Sequence, residues 1–274
     1  IRETGSVSIL KEETIMSDKP INGKSDLNGS SESISSGVGT SPGKSPRALT
    51  PWSWVPSLYF AEGLPYVAVT LLSIEIYMQM GLSDAQITFY TSWLYLPWVI
   101  KPFWSPFLDL FKTKRWWIVA MELLLGAAFA GVAFTIQTDF WLQGSICFFW
   151  LMAFSSATHD VAADGFYMMG LEQHQQAFFV GIRSTFYRLS MIVGKGVLIM
   201  LAGVLQVIFR YQIRFSWGLI FYALTGIFIA FYLYHNFVLP RPDEDVYHDE
   251  NKSAVDVLNG FVETFVSFFR KDQI

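Results

Sequence analysis

Between residues 51 and 239 the chain runs through five or six long apolar stretches interrupted by very few charges. The hydrocarbon core of a bilayer is about 30 Å thick, and a helix needs about 20 mainly apolar residues to cross it. A helix on the surface of a soluble domain keeps one polar face and does not sustain such runs. The pattern therefore specifies an all-α integral membrane protein. It also directs attention to the few charges inside the spans, because each is costly there and is a functional hypothesis by default.

Composition adds exclusions. Hydrophobic residues make up 52% of the chain, aromatics 17% and charged residues 15%. The net charge of −4 says little about partners, and no dense Lys/Arg stripe points to nucleic acid. The single cysteine, Cys147, sits in an apolar run, so an intrachain disulfide is impossible. Residues 1–50 are rich in Ser, Gly, Lys and Asp and nearly free of aromatics. Such a segment cannot bury enough apolar surface to offset its ordering entropy and reads as a disordered tail. It lacks the charged-then-apolar layout of a signal peptide. The sequence opens at Ile1 and closes at Ile274, soon after Arg270-Lys271, which reads as a fragment with Met16 as a candidate true start.

Six spans are expected, at about 52–78, 85–110, 116–136, 140–168, 178–209 and 215–239. Trp52, Trp54, Trp116, Trp117, Trp141 and Trp217 fall near their ends, as an interfacial aromatic belt requires. Lys44 and Arg47 precede the first span, Lys112, Lys114 and Arg115 join the second to the third, Arg183 follows the loop after the fourth, and Arg241 follows the sixth. The positive-inside rule then puts the N-terminus and residues 240–274 in the cytoplasm. Arg210 and Arg214, between the fifth and sixth spans, vote the other way. Beyond an acidic stretch at 243–250, Leu258, Phe261, Val262, Phe265 and Phe269 recur at helical spacing. That predicts an amphipathic helix lying on a membrane or a partner within a cytoplasmic central loop.

Several intramembrane charges carry the functional argument. Glu62 lies about 15 Å deep at 1.5 Å per residue, and Gly63 and Pro65 follow at once. A proline there breaks the helix near the midplane, where broken helices line transport sites. The alternative for Glu62 is a structural pair with a cation on another span. Lys101 stands among Pro97, Pro102 and Pro106, too deep for its stem to reach the cytoplasmic face comfortably. It is expected to hold an anionic group or to neutralise a carboxylate. Asp160 and Asp164 share a helix face, and His159 with Asp160 suits a proton relay. Asp164 has a bland alternative, a salt bridge to Arg183 or to the loop between the second and third spans. Arg188 and Lys195 are seven residues apart, roughly on one face, and either line a substrate path or neutralise the carboxylates. Gly181, Gly194, Gly196 and Gly203 are expected to give close helix contacts on that span. Asp109 with Lys112, Lys114 and Arg115 forms an acid-then-basic loop that would gate the cytoplasmic side or serve topology alone.

No catalytic constellation competes with these. The histidines His159, His174, His235 and His248 are scattered, and no His-Glu-x-x-His or aspartate metal motif occurs. The reading is a non-enzyme with no metal or cofactor, with a membrane receptor or scaffold as the alternative class and a membrane-embedded enzyme behind it.

Four stretches carry a family likeness: the run Tyr59-Phe60-Ala61-Glu62-Gly63-Leu64-Pro65-Tyr66, the proline-rich run from Leu96 through Lys101 to Asp109, His159-Asp160 with Asp164, and Gly181 through Tyr187-Arg188 to Gly194. Over residues 51–239 the chain resembles the major facilitator superfamily, in particular its muropeptide-permease group and the acetyl-coenzyme A transporter relatives. It departs from the superfamily's usual pattern where Leu110 follows Asp109, and from the muropeptide group's Gln-Asp at His159-Asp160. The resemblance implies the N-terminal six-helix half of a twelve-helix carrier of a bacterial cytoplasmic membrane. It implies a secondary, proton-coupled transporter that moves a polar or anionic sugar-peptide-like solute by alternating access. The lipid bilayer, the solute, protons and a C-terminal six-helix half are its implied partners. Spans 1, 2, 4 and 5 would enclose the cavity and bring Glu62, Lys101, Asp160, Arg188 and Lys195 together.

Overall fold

The computed structural model describes residues 50–242, Asp245, and the helical residues Val255, Asn259, Gly260, Val262, Glu263 and Val266. The side chains of Phe107, Asp109 and Leu110 fall outside that description. So do residues 1–49, where the tail is expected, and Leu258, Phe261, Phe265 and Phe269 of the expected amphipathic helix. All regular structure among the described residues is helical.

Residues 51–238 form six rods. The first begins with a 3-10 turn at Pro51–Ser53 and continues as α1 (Val55–Val67), a π turn (Ala68–Leu72) and α2 (Ser73–Gln79). Pro65 sits inside α1 and does not end it. The expected break is instead a π turn beginning three residues later, which takes up the register change that a missing N–H imposes. Gly81, at φ +89°, turns the chain in the left-handed conformation that glycine tolerates. Ser83 then opens α3 (Asp84–Ser92) with a reciprocal capping box to Gln86. A 3-10 turn (Trp93–Tyr95) leads into α4 (Leu96–Phe111), which carries Pro102 and Pro106 inside it. The third and fourth rods are α5 (Lys114–Thr135) and α6 (Trp141–Gly170). The fifth is α7 (Gln173–Ile192), a π turn (Val193–Leu198) and α8 (Ile199–Ile208), and the sixth is α9 (Ile213–Val238).

Five of these rods are long and apolar enough to cross a membrane, and α3–α4 falls outside that group. The reason is its content of Pro, Trp and Tyr together with Lys101, which dilutes the aliphatic run. α5 packs along both α6 and α9, α1 lies against α7 and α6, and α4 lies against α6. The apolar core between α5, α6 and α9 is aromatic: Phe129 lies 5.1 Å from Phe228 and 6.0 Å from Phe221, and Phe149 5.9 Å from Phe221, ring centre to ring centre. Lipid is as apolar as these rings, so close fit and ring geometry rather than transfer from water hold this core.

One expectation about the fifth rod is corrected. Of Gly181, Gly194, Gly196 and Gly203, only Gly194 makes a close contact: a Cβ there would come within 2.5 Å of Val67 Cγ1, while the other three face open space. The tightest approach of α1 to α7 is made by Gly63, where a Cβ would fall 1.9 Å from Ser190 Oγ.

Candidate functional site

Glu62 on α1, Lys101 on α4, Asp160 on α6 and Tyr187 on α7 line one cavity of about 290 Å³, together with Tyr66 and Trp98. A neighbouring cavity of about 550 Å³ shares Glu62, Asp160 and Tyr187 and adds Tyr59, Asp164, Arg183 and Arg188. Polar groups from the first, second, fourth and fifth rods thus converge on one site. The helical period explains how. Asp160 and Asp164 are four apart on α6, and Tyr59 and Glu62 are three apart on α1, so each pair presents to a common face.

Two ion pairs cross the site. Lys101 Nζ binds Asp160 Oδ2. Arg183 Nη1 lies 3.0 Å from Asp164 Oδ1, which also accepts a hydrogen bond from the Tyr59 hydroxyl at 3.1 Å. The Arg183 guanidinium stacks over the rings of Tyr59 at 4.7 Å and Tyr167 at 5.1 Å. Tyr167 in turn donates its hydroxyl hydrogen to the Gln176 carbonyl at 2.5 Å. This places a planar cation between two aromatic faces and a carboxylate, a fit that arginine makes and lysine does not.

Glu62 differs from both aspartates. It is only 9% exposed, and its Oε2 has no hydrogen-bond partner. Arg188 lines the larger cavity, exposed, with no ion-pair partner among the described residues. The site therefore holds a spare carboxylate oxygen and a spare guanidinium. One wall is aromatic: Tyr66 packs edge-on to Trp98 at 5.2 Å, with Tyr95 6.1 Å from Trp98.

The sequence-predicted residues are thus divided. Glu62, Lys101, Asp160, Asp164 and Arg188 come together. Lys195 does not: it lies exposed in the π turn and lines neither cavity. His159 is separated from Asp160 in direction. Consecutive residues of a helix point about 100° apart, and His159 is buried against Glu122 Oε1 at 3.6 Å. Glu122 and His235, which sequence reasoning passed over, meet at 2.5 Å, and His235 Nε2 reaches Ser57 Oγ at 2.9 Å. Arg183, expected as a topological charge and as a possible partner of Asp164, makes that salt bridge and lines the larger cavity. It lies about three turns inside α7, opposite the half-exposed Asp164, and by sequence such a charge is indistinguishable from a topological one.

At the other end of α5, Asp245 caps the helix. Its two carboxylate oxygens accept from the backbone N–H groups of Lys114 at 2.7 Å and Arg115 at 3.0 Å. The Arg115 side chain donates to the carbonyls of Leu239, at 3.3 Å, and Asn236. Lys114 is buried, with Cε against the position a Gly165 Cβ would occupy. The basic loop residues thus tie α5 to the end of α9 and to α6. Asp109, the acidic member of that loop, has its side chain outside the described residues.

This bundle, with paired charges set between apolar rods that are all helical among the described residues, defines a multi-pass membrane protein. Residues 60–272 match the BT1 family, and the chain belongs to that family. It is 29% identical over 150 residues to the anhydromuropeptide permease of Escherichia coli strain K12, and equally to that of Escherichia coli O157:H7. It is 24% identical over 147 residues to an uncharacterized protein of Schizosaccharomyces pombe. The permease match covers 53% of this chain and 30% of each permease, so the chain spans about a third of the length of those relatives.

Proposed function

We propose that the intact protein is a proton-coupled secondary transporter of a polar or anionic small solute. The observation that carries this reading is the shared cavity between four rods, where Lys101–Asp160 and Arg183–Asp164 stand as pairs while Glu62 and Arg188 keep unused binding capacity. A structural bundle gains nothing from leaving a buried carboxylate oxygen unpaired, since that costs about 1–3 kcal/mol. A carrier does gain, because an exchangeable proton and an exchangeable anion need vacant partners. Glu62 or Asp160 carries the proton, Lys101 serves as counter-charge or as a ligand for an anionic part of the solute, and Arg188 is a second anion ligand. The aromatic wall of Tyr66, Tyr95 and Trp98 suits the flat face of a sugar or similar ring.

In this reading the four rods form one side of an alternating-access cavity, and six further helices close it in the manner of a twelve-helix carrier. The kinship with permeases named for anhydromuropeptides makes a sugar-peptide the first solute to test, and a bacterial cytoplasmic membrane with a cytoplasmic N-terminus the expected setting. The test is uptake into proteoliposomes holding the intact protein. With an acid exterior, a labelled anhydromuropeptide should accumulate inside, and a protonophore should collapse the accumulation. Uptake that only equilibrates, whatever the gradient, removes the proton coupling. Failure of a panel of anionic and sugar-peptide solutes to enter at all removes the transport reading.

A further inference from the structure

We infer that Glu122, His159 and His235 form a second proton-binding site, inside the bundle and separate from the cavity carboxylates. It stands whether or not the cavity is a transport route. The three groups come from three rods, α5, α6 and α9, and are 0%, 1% and 0% exposed. The titratable groups facing Glu122 are His235 and His159. α1 contributes the neutral Ser57, and α4 places Lys101 on Asp160 at the cavity instead. Phe231 stacks on the His235 ring and Tyr234 meets it edge-on, with the Tyr234 hydroxyl spent on the Ser53 carbonyl.

Hydrogen counting shows that the site is built for two proton states. His235 Nδ1 shares a hydrogen with Glu122 Oε1 at 2.5 Å. Ser57 Oγ has one hydrogen and two partners, the Trp54 carbonyl at 3.1 Å and His235 Nε2 at 2.9 Å. When His235 is an imidazolium, Nε2–H donates to Ser57 and the hydroxyl donates to Trp54. When His235 is neutral with Nδ1–H, the hydroxyl turns and donates to Nε2. The heavy atoms stay in place, so a proton can be gained or lost without repacking. Capacity for it also remains: Glu122 Oε2 and both nitrogens of His159 are buried without a hydrogen-bond partner. His159 Nε2 lies 3.6 Å from Glu122 Oε1, too far for a hydrogen bond and close enough for an ion pair once protonated. Among the described residues no three His, Cys, Asp or Glu groups are set to hold a metal ion. A fixed structural pair would need only Glu122 and His235. The second, unbonded histidine is what a storage site requires and a lock does not.

The test is a pH titration of the intact protein, labelled with ¹⁵N-histidine, in lipid bilayers, read by solid-state NMR. His159→Gln and His235→Gln assign the two resonances. Coupled groups titrate as a unit, so either resonance reports. One of them should pass from neutral imidazole to imidazolium as the pH is lowered. Glu122→Gln should move that transition toward acid by about 1–3 pH units, the effect of losing an opposite charge within 4–6 Å. Ser57→Ala, which keeps every ionisable group, should also displace it, and serves if Glu122→Gln does not fold. Two histidines locked in one charge state over the whole range overturn the inference. So does a transition that neither Glu122→Gln nor Ser57→Ala moves.

Discussion

Gly63→Ala probes the closest helix approach at any glycine among the described residues, and its cost can be worked from the geometry. An added Cβ would lie 1.9 Å from Ser190 Oγ, 3.1 Å from the Tyr187 carbonyl oxygen and 3.2 Å from Ser190 Cβ. The hydroxyl can swing away, but it then gives up its 2.7 Å bond to the Tyr187 carbonyl, and Ser190 is fully buried, so no water replaces it. That exchange costs about 1–3 kcal/mol. The other two contacts are too short for comfort, and one is backbone, so α1 and α7 must part by a few tenths of an ångström, an overpacking cost of about 1–3 kcal/mol. The sum is roughly 2–4 kcal/mol, allowing for partial relaxation. Ser190→Ala in the same chain removes the worst contact, so the double variant should recover about 1–2 kcal/mol of coupling. Reversible unfolding of the intact protein by denaturant in mixed micelles, run as a double-mutant cycle, measures both. A Gly63→Ala variant within about 0.5 kcal/mol of the parent, or strict additivity with Ser190→Ala, refutes the proposed packing of α1 on α7. Because Glu62 precedes Gly63 and Tyr187 lines the same cavity, the separation should also change transport kinetics more than substrate range.

Other outcomes follow from particular contacts. Arg183→Lys keeps the charge opposite Asp164 but loses the stacking between Tyr59 and Tyr167, so it should behave nearly as badly as Arg183→Ala in a transport assay; full activity of the lysine variant contradicts that. Asp245→Ala removes the side-chain cap on the first N–H groups of α5 and should cost about 0.5–2 kcal/mol in the same unfolding assay, whereas Asp245→Asn should cost less. For topology, a cysteine at exposed Asp139 should react with an impermeant reagent from outside, and one at exposed Lys112 should not; the reverse pattern inverts the orientation.

The apolar runs made the helices legible, and five of six expected spans are long apolar helices at nearly the expected positions. The second rod is the exception in composition; its Tyr95, Trp98 and Lys101 line the smaller cavity. Glu62, Lys101 and Asp160 were findable because a charge in a span is expensive and must have a reason. What stayed hidden depended on rotation and distance along the chain. His159 looks like Asp160's neighbour in sequence, but it points into the α5–α9 core. Glu122 and His235 are 113 residues apart, and each alone is a single polar residue in an apolar helix. The glycines of the fifth rod carried the right composition for contact, yet only Gly194 has a neighbour to touch. A periodic small-residue pattern states which face could approach another helix, not whether one is there.

The most direct test of the account compares two transport modes in Glu62→Gln and Asp160→Asn of the intact protein. Exchange of labelled for unlabelled solute across a proteoliposome needs only binding and alternation, while accumulation against a gradient also needs a proton to be taken up and released. If a cavity carboxylate is the proton carrier, at least one of the two variants should retain exchange while losing accumulation under an inward proton gradient. If both variants accumulate the solute as the parent does, these carboxylates are structural and the coupling assigned to them is wrong.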